Sequence, residues 1–262
     1  MRNRLIQLLA DNRQAPRQFA VRNAAADVAE ILLYAPIVDS ELEAEWWGGV
    51  APEPFVRELR GITAGTIHLR INSPGGSVFG ARAMEQALRE HKAKVIVHVD
   101  GLAASAASFL AMAGDEVVMA KGAMLMIHNA WTIALGNAAE LRKTADLLSK
   151  IDGTLAQTYA DRTGGKVEDI AAQMAEETWF TAEEAVDHGF ADAIAEAPKG
   201  DGDTPAAAWN LSAYLRAPAA RQPKTEQPQP EQSPAPAGTS DAEKSRSEHR
   251  ARRAALACIP FE

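Results

Sequence analysis

Short apolar runs alternate with helical and glycine-rich segments through the middle of this chain, and that alternation restricts the fold more than any other feature. Ile31 to Ile37, Thr66 to Ile71, Lys94 to Val99, Glu116 to Ala120 and Ala123 to Asn129 each have the length and composition of a buried strand. Between them, Glu41 to Trp47, Pro52 to Arg60 and Ser77 to about His91 read as helices. In the last of these Val78, Ala81, Met84, Ala87 and Leu88 share one face, and Ser77 can cap the start. Pro54 sits near a helix start, where its missing N–H costs little. Strands separated by helices build βαβ units, so an α/β fold with a largely parallel sheet is expected. In such sheets the carboxyl ends of the strands gather on one side, and ligand sites lie there.

The residues at those strand ends decide what a site could do. Thr66 to Ile71 runs into Asn72-Ser73-Pro74-Gly75-Gly76, where Pro74 restricts the turn and two glycines permit backbone conformations that other residues resist. Most such turns only reverse the chain. A glycine-rich loop can also cradle phosphate, but the Lys-Ser/Thr of a P-loop does not follow. As an oxyanion loop, it would aim unobstructed backbone N–H groups at a developing negative charge.

Lys94 to Val99 leads into Asp100-Gly101-Leu102-Ala103-Ala104-Ser105-Ala106-Ala107-Ser108 and then an apolar helical segment through about Met112. Ser105, among Gly and Ala at a strand-to-helix turn, is either an N-cap or a nucleophile that another backbone can approach. The Gly-x-Ser-x-Gly of the hydrolase elbow is absent. His128 follows a fully apolar strand. It is either a hydrogen-bonded structural histidine, as His68, His91, His98, His188 and His249 are expected to be, or the neutral base that a serine hydroxyl needs.

Gly136 to about Asp161 reads as a long helix in which Leu141, Leu148 and Leu155 recur every seven residues. That stripe fits core packing or pairing with another subunit. Val167 to Met174 is a shorter helix, Glu176 to Phe180 an extended segment, and Thr181-Ala182-Glu183-Glu184 a capping box before a last helix.

Three regions are expected: an N-terminal arm at 1–28, either a short helix or a mobile segment; a folded domain at 29–197; and a disordered Pro/Gln/Ala-rich tail at 198–262 ending in a basic segment, Lys244 to Arg253. The net charge of −8 argues against nucleic-acid binding. One cysteine, Cys258, allows no intramolecular disulfide and fits the cytoplasm. Ile6 to Ala10 is too short an apolar region for a signal peptide, and Leu102 to Gly114 too short to span a bilayer, so no membrane association is expected.

Asn72-Ser73-Pro74-Gly75-Gly76, Gly101-Leu102-Ala103-Ala104-Ser105 and Met126-Ile127-His128-Asn129, in this order, resemble the Clp protease proteolytic subunit family from about Ile31 to Ile194. The segments around Trp46-Trp47, Trp131 and Trp179 look more like its phage and prophage branch of head maturation proteases. The resemblance implies a ClpP/crotonase-like α/β fold of repeated ββα-type units with a long handle helix at 136–161. It implies a serine endopeptidase without cofactor or metal. Ser105 would be the nucleophile and His128 the general base. The backbone N–H groups of Gly76 and Ala106 would form the oxyanion hole. Where the family usually has Asp as its third triad member, this chain has Glu177, with Glu176, Asp161 and Asp169 as rivals.

Implied partners are a homo-oligomeric ring, a heptamer or stacked rings, and protein substrates such as capsid or scaffold proteins. The alternatives are a bacterial-type proteolytic subunit working with an ATPase partner and an inactive assembly scaffold. Acyl-CoA chemistry of the crotonase kind needs no Ser-His pair, and a Ser-Lys signal peptide peptidase would normally be membrane-associated.

Overall fold

The computed structural model describes residues 3–25, 27–195 and 209–218. Its eight strands are β1 (Gln18–Ala25), β2 (Val28–Tyr34), β3 (Thr66–Ser73), β4 (Lys94–Ala104), β5 (Glu116–Ala120), β6 (Met124–Ile127), β7 (Thr178–Thr181) and β8 (Ala193–Ala195). They form one sheet in the order β1-β2-β3-β4-β5-β8, with β6 joined to β4 and β7 joined to β6. From β2 to β8 the main path is parallel, and β1 closes one edge antiparallel to β2.

Period-two patterning explains which way the sheet faces. Ile67, Leu69 and Ile71 of β3 and Val95, Val97 and Val99 of β4 are buried in the main core. The alternate residues line an outer polar face, where Asp100 takes a two-pronged hydrogen bond from Arg70 and a third from Tyr34, and where His68 and His98 bond each other at 2.7 Å. Helices cover the apolar face. Ser77 caps α4 (Val78–Glu90), whose Ala81, Met84 and Leu88 are buried, as their spacing predicts. α2 (Glu41–Trp47) and α3 (Pro52–Arg60) also occupy the expected segments.

The eleven-residue β4 builds the site. Ile96 to Val99 pairs with β5, whereas Leu102 to Ala104 pairs with β6. The strand thus changes neighbours around Asp100-Gly101, carrying Ser105 away from the main path towards β6 and β7. Ser105 is then followed at once by α5 (Ala106–Ala111).

The long helix, α6 (Ala138–Thr163), starts at a capping box of Asn137 and Glu140 and stops at left-handed Gly164. Only its C-terminal part reaches the core, through Leu155, Ala156, Tyr159 and Ala160. Leu141 and Leu147 remain exposed. α7 (Val167–Ala175) returns alongside, and the predicted capping box of Thr181 and Glu184 opens α8 (Ala182–Asp187).

Several expected boundaries move. The arm at 1–28 contains α1 (Arg4–Asp11), capped by Asn3, and β1, which the unpatterned N-terminal sequence conceals. The first predicted strand ends at Tyr34; Ile37 instead bridges to both Val50 and Gly76. Glu176 and Glu177 are a turn rather than extended chain, and Glu177 has φ 54°.

The expected tail at 198–262 contains a packed stretch. Residues 209–218, here termed the strap, bury Trp209, Leu211 and Tyr214 against Leu8, Leu102, Ala104 and Met126. The physical reason is local: three large apolar side chains in six residues offer burial that the surrounding Pro/Gln/Ala sequence does not. The basic segment at 244–253 lies outside the described residues.

Candidate active site

Ser105 occupies the N-cap position of α5 but does not cap it. Its φ and ψ of 54° and −122° differ from the extended values of a capping serine, and its side chain makes no cap hydrogen bond. A non-glycine residue held there stores roughly 1–3 kcal/mol of strain, which the surroundings must over-determine. They do so with hydrogen bonds: the Ser105 N–H donates to the Met126 carbonyl at 2.8 Å, and the Ser105 carbonyl accepts from the Ser108 N–H at 2.9 Å. Ser108 Oγ lies 2.7 Å from the carbonyls of Ser105 and Met126 and 2.9 Å from the Tyr159 hydroxyl. Ser108 therefore ties the serine turn to β6 and α6.

The freed hydroxyl faces His128. Ser105 Oγ and His128 Nε2 are 2.7 Å apart, the separation that general-base transfer requires. β6 delivers the imidazole, which is 8% exposed and enclosed edge-on by Trp131 and Tyr214, with ring centroids at 4.4 and 5.5 Å. Burial, and after it the charge of Arg4, pushes the imidazole pKa from its ordinary 6.5 down to about 3. His128 is therefore neutral at physiological pH.

The Pro74-Gly75-Gly76 loop passes directly beside the serine. A Cβ on Gly75 would lie 2.5 Å from the Ala104 carbonyl and 2.9 Å from Ser105 Cβ. One on Gly76, with φ 142°, would lie 1.9 Å from the Ile37 carbonyl. No other residue fits either place. The Ala106 N–H begins α5 and has no intrahelical acceptor. Gly76 and Ala106 thus stand on the two segments that meet at Ser105. Val78, Ala106, Phe109, Ala130, Leu155 and Tyr159 line a narrow apolar pocket opening at Ser105 and His128.

Glu177 is brought close by register. β6 and β7 are antiparallel, and their last pair is Ile127 with Thr178, so His128 and Glu177 are the next residues along each strand. No hydrogen bond joins them, however. The buried Glu177 carboxylate accepts from the backbone N–H groups of Leu215 (2.9 Å) and Arg216 (2.6 Å) and from the Trp179 indole (3.3 Å). Of its rivals, Glu176 is an exposed ion pair with Arg216 at 2.6 Å, Asp161 accepts from Gln157, and Asp169 is exposed in the first turn of α7.

Tyr214 is the component that sequence reasoning missed. Its hydroxyl donates to the Pro74 carbonyl at 2.5 Å, and burial raises its pKa. The apolar island Trp209-Asn210-Leu211-Ser212-Ala213-Tyr214-Leu215 is the signal that could have revealed it. Among the described residues there is no cluster of three or more His, Cys, Asp or Glu arranged to hold a metal, and no helix long and apolar enough to cross a membrane.

A strained serine bonded to a neutral histidine, beside a glycine loop, is an arrangement for nucleophilic attack on a carbonyl. Comparison with known proteins agrees. A family model described as Clp protease matches residues 62–198. An ATP-dependent Clp protease proteolytic subunit 1 from Leifsonia xyli is 32% identical over 132 residues, 50% of this chain and 67% of that protein. A proteolytic subunit 2 from Rhodococcus jostii is 34% identical over 135 residues, covering 49% and 67% respectively. One from Tropheryma whipplei is 32% identical over 130 residues, covering 49% and 72%. With strand ends, glycine loop and Ser-His pair all inside the matched region, the chain belongs to the Clp protease family.

Proposed function

We propose that this protein is a serine endopeptidase of the Clp proteolytic-subunit type, with Ser105 as nucleophile and His128 as general base. The observation that carries this is the 2.7 Å contact between Ser105 Oγ and His128 Nε2 at a serine whose strained backbone serves no capping role. In the reaction, His128 Nε2 takes the Ser105 proton as Oγ attacks the peptide carbonyl. The N–H groups of Gly76 and Ala106 receive the developing oxyanion. His128 then returns the proton to the departing amine, and water repeats the sequence on the acyl-enzyme. Glu177 is the assigned orienting acid, supported by its register opposite His128.

The exposed leucines of α6 support subunit pairing through the handle helix, and hence a ring. Of the two biological settings, the relatives' names support a proteolytic subunit fed by an ATPase partner. Head maturation, with capsid or scaffold substrates, rests on the tryptophan-containing segments alone. The test is labelling by a fluorophosphonate probe. Wild type should label, whereas Ser105→Ala should not and His128→Ala should react at least a hundredfold more slowly; labelling that survives Ser105→Ala would remove the assigned nucleophile.

A further inference from the structure

His128 lies beneath a piece of its own chain. We propose that residues 209–218 form an autoinhibitory strap, which closes Ser105 and occupies Glu177 until it is lifted. This rests on the serine peptidase reading above.

Two contacts make the seated strap incompatible with turnover. The Tyr214 ring packs edge-on against His128 at 5.5 Å and its hydroxyl bonds the Pro74 carbonyl, beside the glycine loop along which a substrate would lie. It is almost wholly buried, and a substrate strand laid along that loop would have to displace it. The strap also holds the acid. Both oxygens of Glu177 accept from strap N–H groups, and neither bonds His128, whose tautomer a carboxylate would fix. One movement therefore opens the serine and frees the acid.

The strap is also attached in a way that permits release. It contributes no strand or helix, so lifting it breaks no ladder. Its other anchors are side-chain bonds. The Trp209 indole donates to Asn72 Oδ1 at 3.2 Å. Asn12 donates to the Asn210 carbonyl at 2.9 Å and accepts from its N–H at 2.7 Å. Gln7 and Asp11 of α1 bond Ser212. α1 and the strap thus make one cover, and whatever moves α1 loosens Tyr214.

The experiment measures fluorophosphonate labelling rates of the full chain, of Trp209→Ala, which lies at the end of the strap away from Glu177, and of Tyr214→Ala. Each variant is expected to label at least tenfold faster than wild type, with the gain lost when Ser105→Ala is added. Folded variants that label at the wild-type rate or more slowly would overturn the strap's inhibitory role while leaving the peptidase reading in place. Absence of labelling in every form would remove the peptidase reading, and the strap's role with it. Hydrogen exchange on the unaltered chain gives a second measurement independent of variant folding. Reaction of the probe at Ser105 must displace Tyr214, so the Leu215 and Arg216 amides should lose protection; protection that persists in the labelled protein overturns the proposal.

Discussion

His128 is neutral because its surroundings oppose the cation, burial first and Arg4 second. Its folded pKa is about 3 against an ordinary 6.5, so between those values the unfolded chain holds a proton that the folded chain does not. The contribution to stability is complete above about pH 6.5 and is lost progressively as pH falls towards about 3. Thermal melts across that window should show a decline that is shallower in His128→Gln, which cannot titrate. An equal decline in both proteins would assign it to other groups. The two glutamates separate at the same scale. In a strap-lifted chain, Glu177→Gln should lower turnover by about a hundredfold or more, as losing an orienting carboxylate does. Glu176 is exposed and its pair with Arg216 is already broken when the strap is lifted, so Glu176→Gln should change turnover about twofold at most. Steady-state hydrolysis of a short peptide ester decides, and the reverse order would move the acid to Glu176.

At the scale of elements, exposure divides the leucines of α6, whose spacing fits two readings. Leu141, Leu148 and Leu155 fit core packing and subunit pairing equally well as a pattern. In the fold Leu155 is buried, Leu148 half-buried and Leu141 exposed, as is the neighbouring Leu147. Leu141→Glu with Leu147→Glu should therefore leave the monomer's melting temperature within a few degrees but reduce its assembled size in sedimentation. An unchanged assembly would place the interface elsewhere.

Legibility followed the same division between local and tertiary signals. Ser77 and Thr181 announced their helices because a capping side chain and its target N–H lie within three residues. β5 and α3 were likewise written in local pattern, whereas β4, expected to end at Val99, runs on to Ala104 because Leu102 to Ala104 pair with β6. β1 was not, because Gln18 to Ala25 becomes a strand by pairing with β2, which no local signal records. Ser105 could be narrowed to cap or nucleophile and no further, since backbone φ at that position depends on β4 leaving β5 for β6. The engagement of Glu177 by the strap joins residues 38 and 39 positions apart, beyond any periodicity.

For the whole molecule, what matters is how firmly the cover is held. Ordering ten backbone residues, 209–218, costs roughly 10–20 kcal/mol. Burying Trp209, Leu211 and Tyr214 returns about 5–9 kcal/mol. The hydrogen bonds to Asn72, Asn12, Pro74 and Glu177, at about 1 kcal/mol each and up to 3 for the carboxylate, supply most of the remainder. The two sides are of comparable size, as a releasable cover requires. Truncation should expose this balance. Removing residues 219–262 eliminates sequence with few large apolar side chains and should leave the thermal transition unchanged. Removing residues 209–262 uncovers Leu8, Leu102 and Met126 while sparing the main core, so the transition should fall by only a few degrees and stay cooperative. Calorimetry of the three chain lengths checks both statements. A collapse of the transition on losing 209–262 would mean that the strap belongs to the core and is not a cover, whereas a small shift would show a peptidase domain that folds beneath its strap and does not depend on it.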